Sequence, residues 1–215
     1  MKERPILFSA PMVQALLAGK KTQTRRGPRG GMWRHQEPRA GHPLIFRDGN
    51  WAREDAASCH YGKPGERLWV REAWRADAAF DALPPREIPP GPYFCEASRN
   101  IWDGGPHDGT PGRLRPGIFM PRWASRLTLE ITGIRLEPVQ SISAKDIIAE
   151  GAVERPHTDQ FGRNPVSRFD GKVYLDLQSL WAAGWEKING HGSWSANTWV
   201  WVVEFQRVVA KPSNV

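Results

Sequence analysis

Lys21 and Thr24 stand three residues apart in Gly19-Lys20-Lys21-Thr22-Gln23-Thr24-Arg25-Arg26, and their types can do chemistry together. A threonine hydroxyl is a poor nucleophile until a base withdraws its proton, and a lysine with a depressed pKa can be that base, as in Ser-Lys hydrolytic pairs. Glu150 is a third candidate. It closes the short helical pattern Ser143-Ala-Lys-Asp-Ile-Ile-Ala-Glu150 just before Gly151, where the negative end of the helix dipole disfavours a carboxylate by about 0.3–1 kcal/mol. The same field raises a carboxyl pKa, which suits a general acid or base. Against these stand two structural explanations, a run of solvated charge after a helix end and an exposed glutamate that tolerates its place.

Other candidates are more dispersed. In Gly65-Glu-Arg-Leu-Trp-Val-Arg-Glu-Ala-Trp74, Leu68 and Val70 alternate with Trp69 and Arg71, a half-buried strand with one apolar face and one face able to line a cleft. Trp69 could stack on a base there with Arg71 beside it, and Glu72 with Arg71 reads equally as site residues or as a structural ion pair. Asn197 and Ser195, before the last strand, could bond a base edge or cap a turn. Cys59, His60, Cys95, His35 and His42 match no regular zinc spacing, so neither a metal nor any other cofactor is expected, and two cysteines imply no disulfide framework.

The elements that must position these groups follow from periodicity. A strand at Ile6-Leu7-Phe8 leads into a helix entered at Ser9 or Ala10, with Pro11 just inside it. Met12, Val13, Leu16 and Leu17 share its inner face, and Gly19 stops it. A regular strand from Lys21 would send Lys21 and Thr24 to opposite faces, so a shared site requires irregular backbone after Gly19. Leu127, Leu129 and Ile131 alternate along a further strand, in which Gly133 is expected to mark a bulge. Ser143 and Asp146 fit a capping box. Leu177, Leu180, Trp181, Gly184, Trp185 and Ile188 form one buried helical stripe. Trp199, Trp201, Val203 and Phe205 share one face of the last strand. The order describes a small mixed α+β domain with an antiparallel sheet or barrel.

Segments 27–65 and 76–121 are rich in Gly, Pro and Arg or in proline alone, and read as two loop insertions into a smaller fold. The 215 residues carry a formal +7, of which residues 1–53 hold eleven Lys or Arg against three acidic residues, leaving the rest near neutrality. Such a basic stretch attracts polyanions, nucleic acid above all, or merely keeps the chain in solution. Eleven tryptophans add stacking surface, although most are expected in the core. No apolar run is long enough to span a membrane and the N-terminus lacks an apolar signal region, so a soluble, cytoplasmic chain, by default a monomer, is expected.

The pattern Gly19-x-Lys21-x-x-Thr24-x-Arg26 after a short amphipathic helix resembles the signature of the ASCH family, whose members share a PUA-like β-barrel. Residues 65–74, 120–152 and 185–208 resemble the larger ASCH proteins of phages and prophages, so a single domain over 1–209 is implied, with 210–215 as a tail. The resemblance implies a cleft for RNA, a nucleotide or a modified nucleoside. It is similar in this motif to bacterial amidohydrolases that deacylate N4-acetylcytidine, which makes Lys21, Thr24 and Glu150 the implied catalytic set and Arg26 a binder of anionic substrate parts. Many ASCH members carry glutamate where Thr24 stands. Amide hydrolysis on an N4-acylated cytidine therefore competes with non-catalytic RNA or DNA binding and with a metal-independent ribonuclease.

Overall fold

The structure is a computed structural model that describes residues 1–27, 44–47, 50–53, 59–98, 102–103, 109–151, 167–169, 172–174 and 176–208. It is a mixed α+β chain. Strands β1 (Glu3–Leu7), β2 (Gln23–Arg26), β5 (Arg67–Arg71), β9 (Thr128–Pro138) and β12 (Trp199–Arg207) form a five-stranded sheet in the order β1-β5-β9-β12-β2. Between them lie hairpin β3–β4 (Leu44–Arg47, Asn50–Arg53), the sheet β6-β7-β8 (Trp74–Arg75, Tyr93–Cys95, Trp102–Asp103) and hairpin β10–β11 (Ser167–Phe169, Lys172–Tyr174). The helices are α1 (Ala10–Leu17), α2 (Ala144–Ala149) and α3 (Leu177–Asn189). In the five-stranded sheet, β5–β9 and β12–β2 pair antiparallel, but β1–β5 is parallel, a departure from the all-antiparallel expectation. A parallel pair needs a long crossover, and the chain between Leu7 and Arg67 supplies it.

By its contacts the chain divides into two compact units, Met1–Gly19 with Pro64–Ile131 and Phe205–Val215, and Lys20–Lys63 with Thr132–Glu204. In the first unit, α1 starts at Ser9 with Pro11 in its first turn and buries Val13 and Leu16. Gly19, at φ +68°, closes it in the left-handed conformation that glycine adopts without a Cβ penalty. Leu17 was expected on the buried face and is instead 39% exposed, because it lies on the flank of the stripe in the helix's final turn. Leu68, Trp69 and Val70 are all buried, so β5 is covered on both faces rather than one. Prolines of 76–121 open three short 3-10 turns, Pro84 the one at Pro85–Glu87, Pro116 the one at Gly117–Phe119 and Pro121 the one at Arg122–Ala124, and Asp77 caps a fourth at Ala78–Phe80. These turns surround a core of Trp74, Ala76, Ile88, Tyr93, Cys95, Met120 and Ala124, with Trp123 packed edge-on to Trp74 and Tyr93 at 5.8 and 6.0 Å.

In the second unit, Val139, Trp185, Val200 and Val202 form a core with Trp181 against it. Trp181 and Trp185 thus pack as expected. Ile188, taken for the end of the same stripe, is 67% exposed, lying in the last helical turn beyond that core. The residues from Val200 to Val203 on β12 are all buried, so this interior strand has two covered faces, not the single apolar face expected. Gly133 sits inside strand β9, where a Cβ would come 2.5 Å from Glu204 Oε2, so the missing side chain makes room for that carboxylate. Among the described residues no helix is long and apolar enough to cross a membrane.

Candidate functional site

Helix α2 and strand β2 build the site from complementary ends. The capping box is complete at the start of α2: Ser143 Oγ accepts from the Asp146 backbone N–H at 3.1 Å, and Asp146 Oδ2 accepts from the Ser143 N–H at 3.4 Å. At the other end a helix leaves carbonyls without partners. The residues leading into strand β2 and the strand itself supply the donors. The Thr22 backbone N–H donates to the Ala149 carbonyl at 2.8 Å, Gln23 Nε2 to the Asp146 carbonyl at 3.0 Å, and Lys21 Nζ to the Glu150 carbonyl at 2.9 Å. Alternation along a strand puts Lys21, Gln23 and Arg25 on one side, and all three reach α2 or Glu150.

Lys21 Nζ also donates to Glu150 Oε2 at 2.8 Å, with the two side chains only 1% and 2% exposed. This contact explains the misplaced glutamate. Glu150 is the C-cap residue of α2, and an ammonium and a guanidinium beside it oppose the repulsion of the helix end. Burial drives the Lys21 pKa below its ordinary value; Glu150 pulls it up through charge and hydrogen bond, and Arg26 and Arg25 push it further down. A depressed lysine beside a carboxylate is placed to exchange a proton with a bound substrate or water.

Arg25 is the main correction. In a stretch that could have been no more than a run of solvated charge, its side chain is fully buried and is held by three carboxylates. Nη1 faces Glu150 Oε1 at 3.4 Å, while Nη2 bonds Glu137 and lies 3.4 Å from Asp146 Oδ2. Arg135 continues the network to Glu137 at 3.0 Å, to Asp146 at 2.8 Å and to Glu204. Desolvation pushes the Asp146 carboxyl up, but the Ser143 hydroxyl, Arg135 and Arg25 outweigh it and bring its pKa down to about 2. A signal for Arg25 existed in the i, i+2, i+4 spacing from Lys21; nothing local named Arg135, Glu137 or Glu204 as its company.

Thr24 is buried and faces Val203 across the β2–β12 ladder. Strand β2 is regular there, so Thr24 and Arg26 fall on the face opposite Lys21, and among the described residues no hydrogen bond joins the Thr24 hydroxyl to Lys21 or Glu150. Arg26 is half-buried, and desolvation lowers its pKa against the pull of Tyr61 and Glu150.

The remaining candidates do not join this cluster. Trp69, Arg71 and Glu72 belong to the first unit. Trp69 is 8% exposed, with the Arg71 guanidinium 4.5 Å and that of Arg122 5.8 Å from its ring centre, so it is packed under cations rather than held open for a base. Glu72 is buried in a two-pronged pair with Arg126 at 3.0 and 3.1 Å, which makes it structural and leaves Arg71 as a neighbour only in sequence. Asn197, at φ +43°, accepts the Gln140 N–H at 3.0 Å and so ties the segment before β12 to the one after β9, while Ser195 Oγ donates to the Gly192 carbonyl at 3.0 Å within its own turn. Cys59 and Cys95 are not in disulfides and belong to different units. His35 and His42, and the tail 210–215, lie outside the described residues. No protein-family model, curated protein or solved structure matches the chain.

Proposed function

We propose that the protein is an ASCH-type domain, PUA-like in fold, that acts on RNA or modified nucleosides and hydrolyses the amide of an N4-acylated cytidine. One observation carries this reading. Lys21 and Glu150, which the family signature implicates independently, meet in a buried 2.8 Å contact across 129 positions of sequence. The five-stranded sheet with short helices supports the PUA-like part of the reading, and closure into a barrel belongs to the proposal.

In this mechanism the pair manages one proton. Lys21 in its amine form takes a proton from water, and the hydroxide adds to the acyl carbon. The C–N4 bond then breaks as N4 receives that proton back through Glu150, giving cytidine and a carboxylic acid. Water is preferred over Thr24 as nucleophile, because β2 turns the threonine to its other face. Since both side chains are buried, the surrounding chain has to open to admit the acyl group.

Purified protein is expected to release cytidine from N4-acetylcytidine, and Lys21→Ala and Glu150→Gln to lose that release. No turnover with any N4-acylated cytidine would sink the reading. The second reading is a non-catalytic RNA or DNA reader, favoured by the full engagement of Lys21 and Arg25 with carboxylates and by the basic character of residues 1–53. Binding that persists in Lys21→Ala without turnover would select it. Cleavage of labelled single-stranded RNA in EDTA would select a ribonuclease instead.

A further inference from the structure

We propose that Arg25 is a positioning residue of the Lys21–Glu150 pair: it holds the carboxylate oxygen that Lys21 leaves free and, as a second cation on that carboxylate, favours the amine form of the lysine. The geometry divides Glu150 between two donors, with Lys21 on Oε2 at 2.8 Å and Arg25 on Oε1 at 3.4 Å. A carboxylate held at both oxygens cannot rotate away from the lysine. Arg25 is itself immobilised, because Glu137 and Asp146 engage its other terminal nitrogen and both are in turn bonded by Arg135. A planar guanidinium with several fixed donors suits this three-carboxylate position.

The charged groups around the pair are Arg25 and Arg26 on β2, Asp146 and Glu150 on α2 and its cap, Arg135 and Glu137 on β9, and Glu204 on β12, with Tyr61 acting on Arg26. Among the described residues, the Glu150 carboxylate favours the Lys21 ammonium, and Arg26 and Arg25 oppose it. Loss of Arg25 removes an opposing charge and uncovers carboxylates, and both changes stabilise the ammonium. An ammonium cannot act as a base. The catalytic consequence rests on the proposed amide hydrolysis, whereas the effect on Lys21 ionisation does not.

The test uses full-length protein labelled with 13C at the lysine ε-carbons, the Lys21 signal being assigned by its loss in Lys21→Arg. Arg25→Gln is expected to raise the Lys21 titration midpoint by about one pH unit or more, and Arg25→Lys to leave it near that of the parent. With N4-acetylcytidine as substrate, kcat/KM of Arg25→Gln measured below the Lys21 midpoint should fall about tenfold and recover as the pH is raised, since one unit is there a factor of ten in amine fraction. A folded Arg25→Gln with an unmoved Lys21 midpoint, or a rate lowered equally at every pH, overturns the proposal. Should Arg25→Gln fail to fold, Glu137→Gln carries the test: it leaves Arg25 more fully to Glu150, the Lys21 midpoint moves down, and an unchanged midpoint overturns the proposal. Absence of turnover in the parent chain sinks the hydrolytic reading alone, and the titration still decides the role of Arg25.

Discussion

Removing one member of a buried ion pair leaves the other charge uncompensated, at about 3–5 kcal/mol. Lys21→Ala is accordingly expected to destabilise the fold by roughly 3 kcal/mol in urea unfolding, because it leaves the buried Glu150 with only the longer Arg25 contact and also uncaps its carbonyl. The double change Lys21→Met with Glu150→Leu should regain most of that loss, since apolar residues of similar volume dispense with the desolvation of both charges. A pair that separates in solution would show a small effect in both. Asp146 governs a pH effect. Its pKa falls from the ordinary carboxyl value to about 2 in the folded chain, so its contribution is complete above about pH 4 and is lost as pH drops towards 2. In acid unfolding Asp146→Asn should be less stable than the parent at neutral pH and should converge with it near pH 2. At this scale Lys21 and Glu150 were legible as reactive types in odd places. Arg25 was not, because a basic residue among basic neighbours looks solvated until the carboxylates that surround it are brought from β9 and α2.

Among the elements, α2 was the most legible, since its start and stop are written in a few consecutive residues, Ser143, Asp146 and Gly151. Ser143→Ala removes the hydroxyl that accepts from the Asp146 N–H, and is expected to cost about 1 kcal/mol in thermal or urea unfolding. The loss should reach the site, because Asp146 would lose its serine partner while still serving Arg25 and Arg135. An unchanged stability would show that the cap is replaced by solvent. Helix α1 and the tryptophans of α3 followed from periodicity for the same local reason. The outer ends of both stripes, Leu17 and Ile188, did not, because a helical period fixes which residues share a face and leaves open how far the opposing core extends along it. The proline-rich segment 76–121 shows the converse. It has no helical or strand period, yet its described turns enclose a tryptophan-centred core, so Trp74→Ala should cost about 3–5 kcal/mol in urea unfolding.

For the whole molecule the dominant physical quantity is a formal +7, and nucleic-acid affinity should register it as salt dependence. If single-stranded RNA is the partner, affinity should fall with a log–log salt slope steeper than about −2, and a flat dependence would exclude a phosphate-gripping role. The buried part of the charge will contribute little to that slope: Lys21 and Arg25 spend theirs on carboxylates of the same chain. Length, charge, the mixed α+β make-up and the signed helix ends are determined by the sequence itself, because each depends on composition or on residues within a few positions of one another. The meeting of Lys21 with Glu150, the turning of Thr24 to the other face and the enclosure of Arg25 by Glu137, Asp146 and Glu150 were decided only by the tertiary structure. Strand pairing and a helix end bring together groups more than a hundred positions apart, and once water is excluded from between them, burial and neighbouring charge determine what each one does.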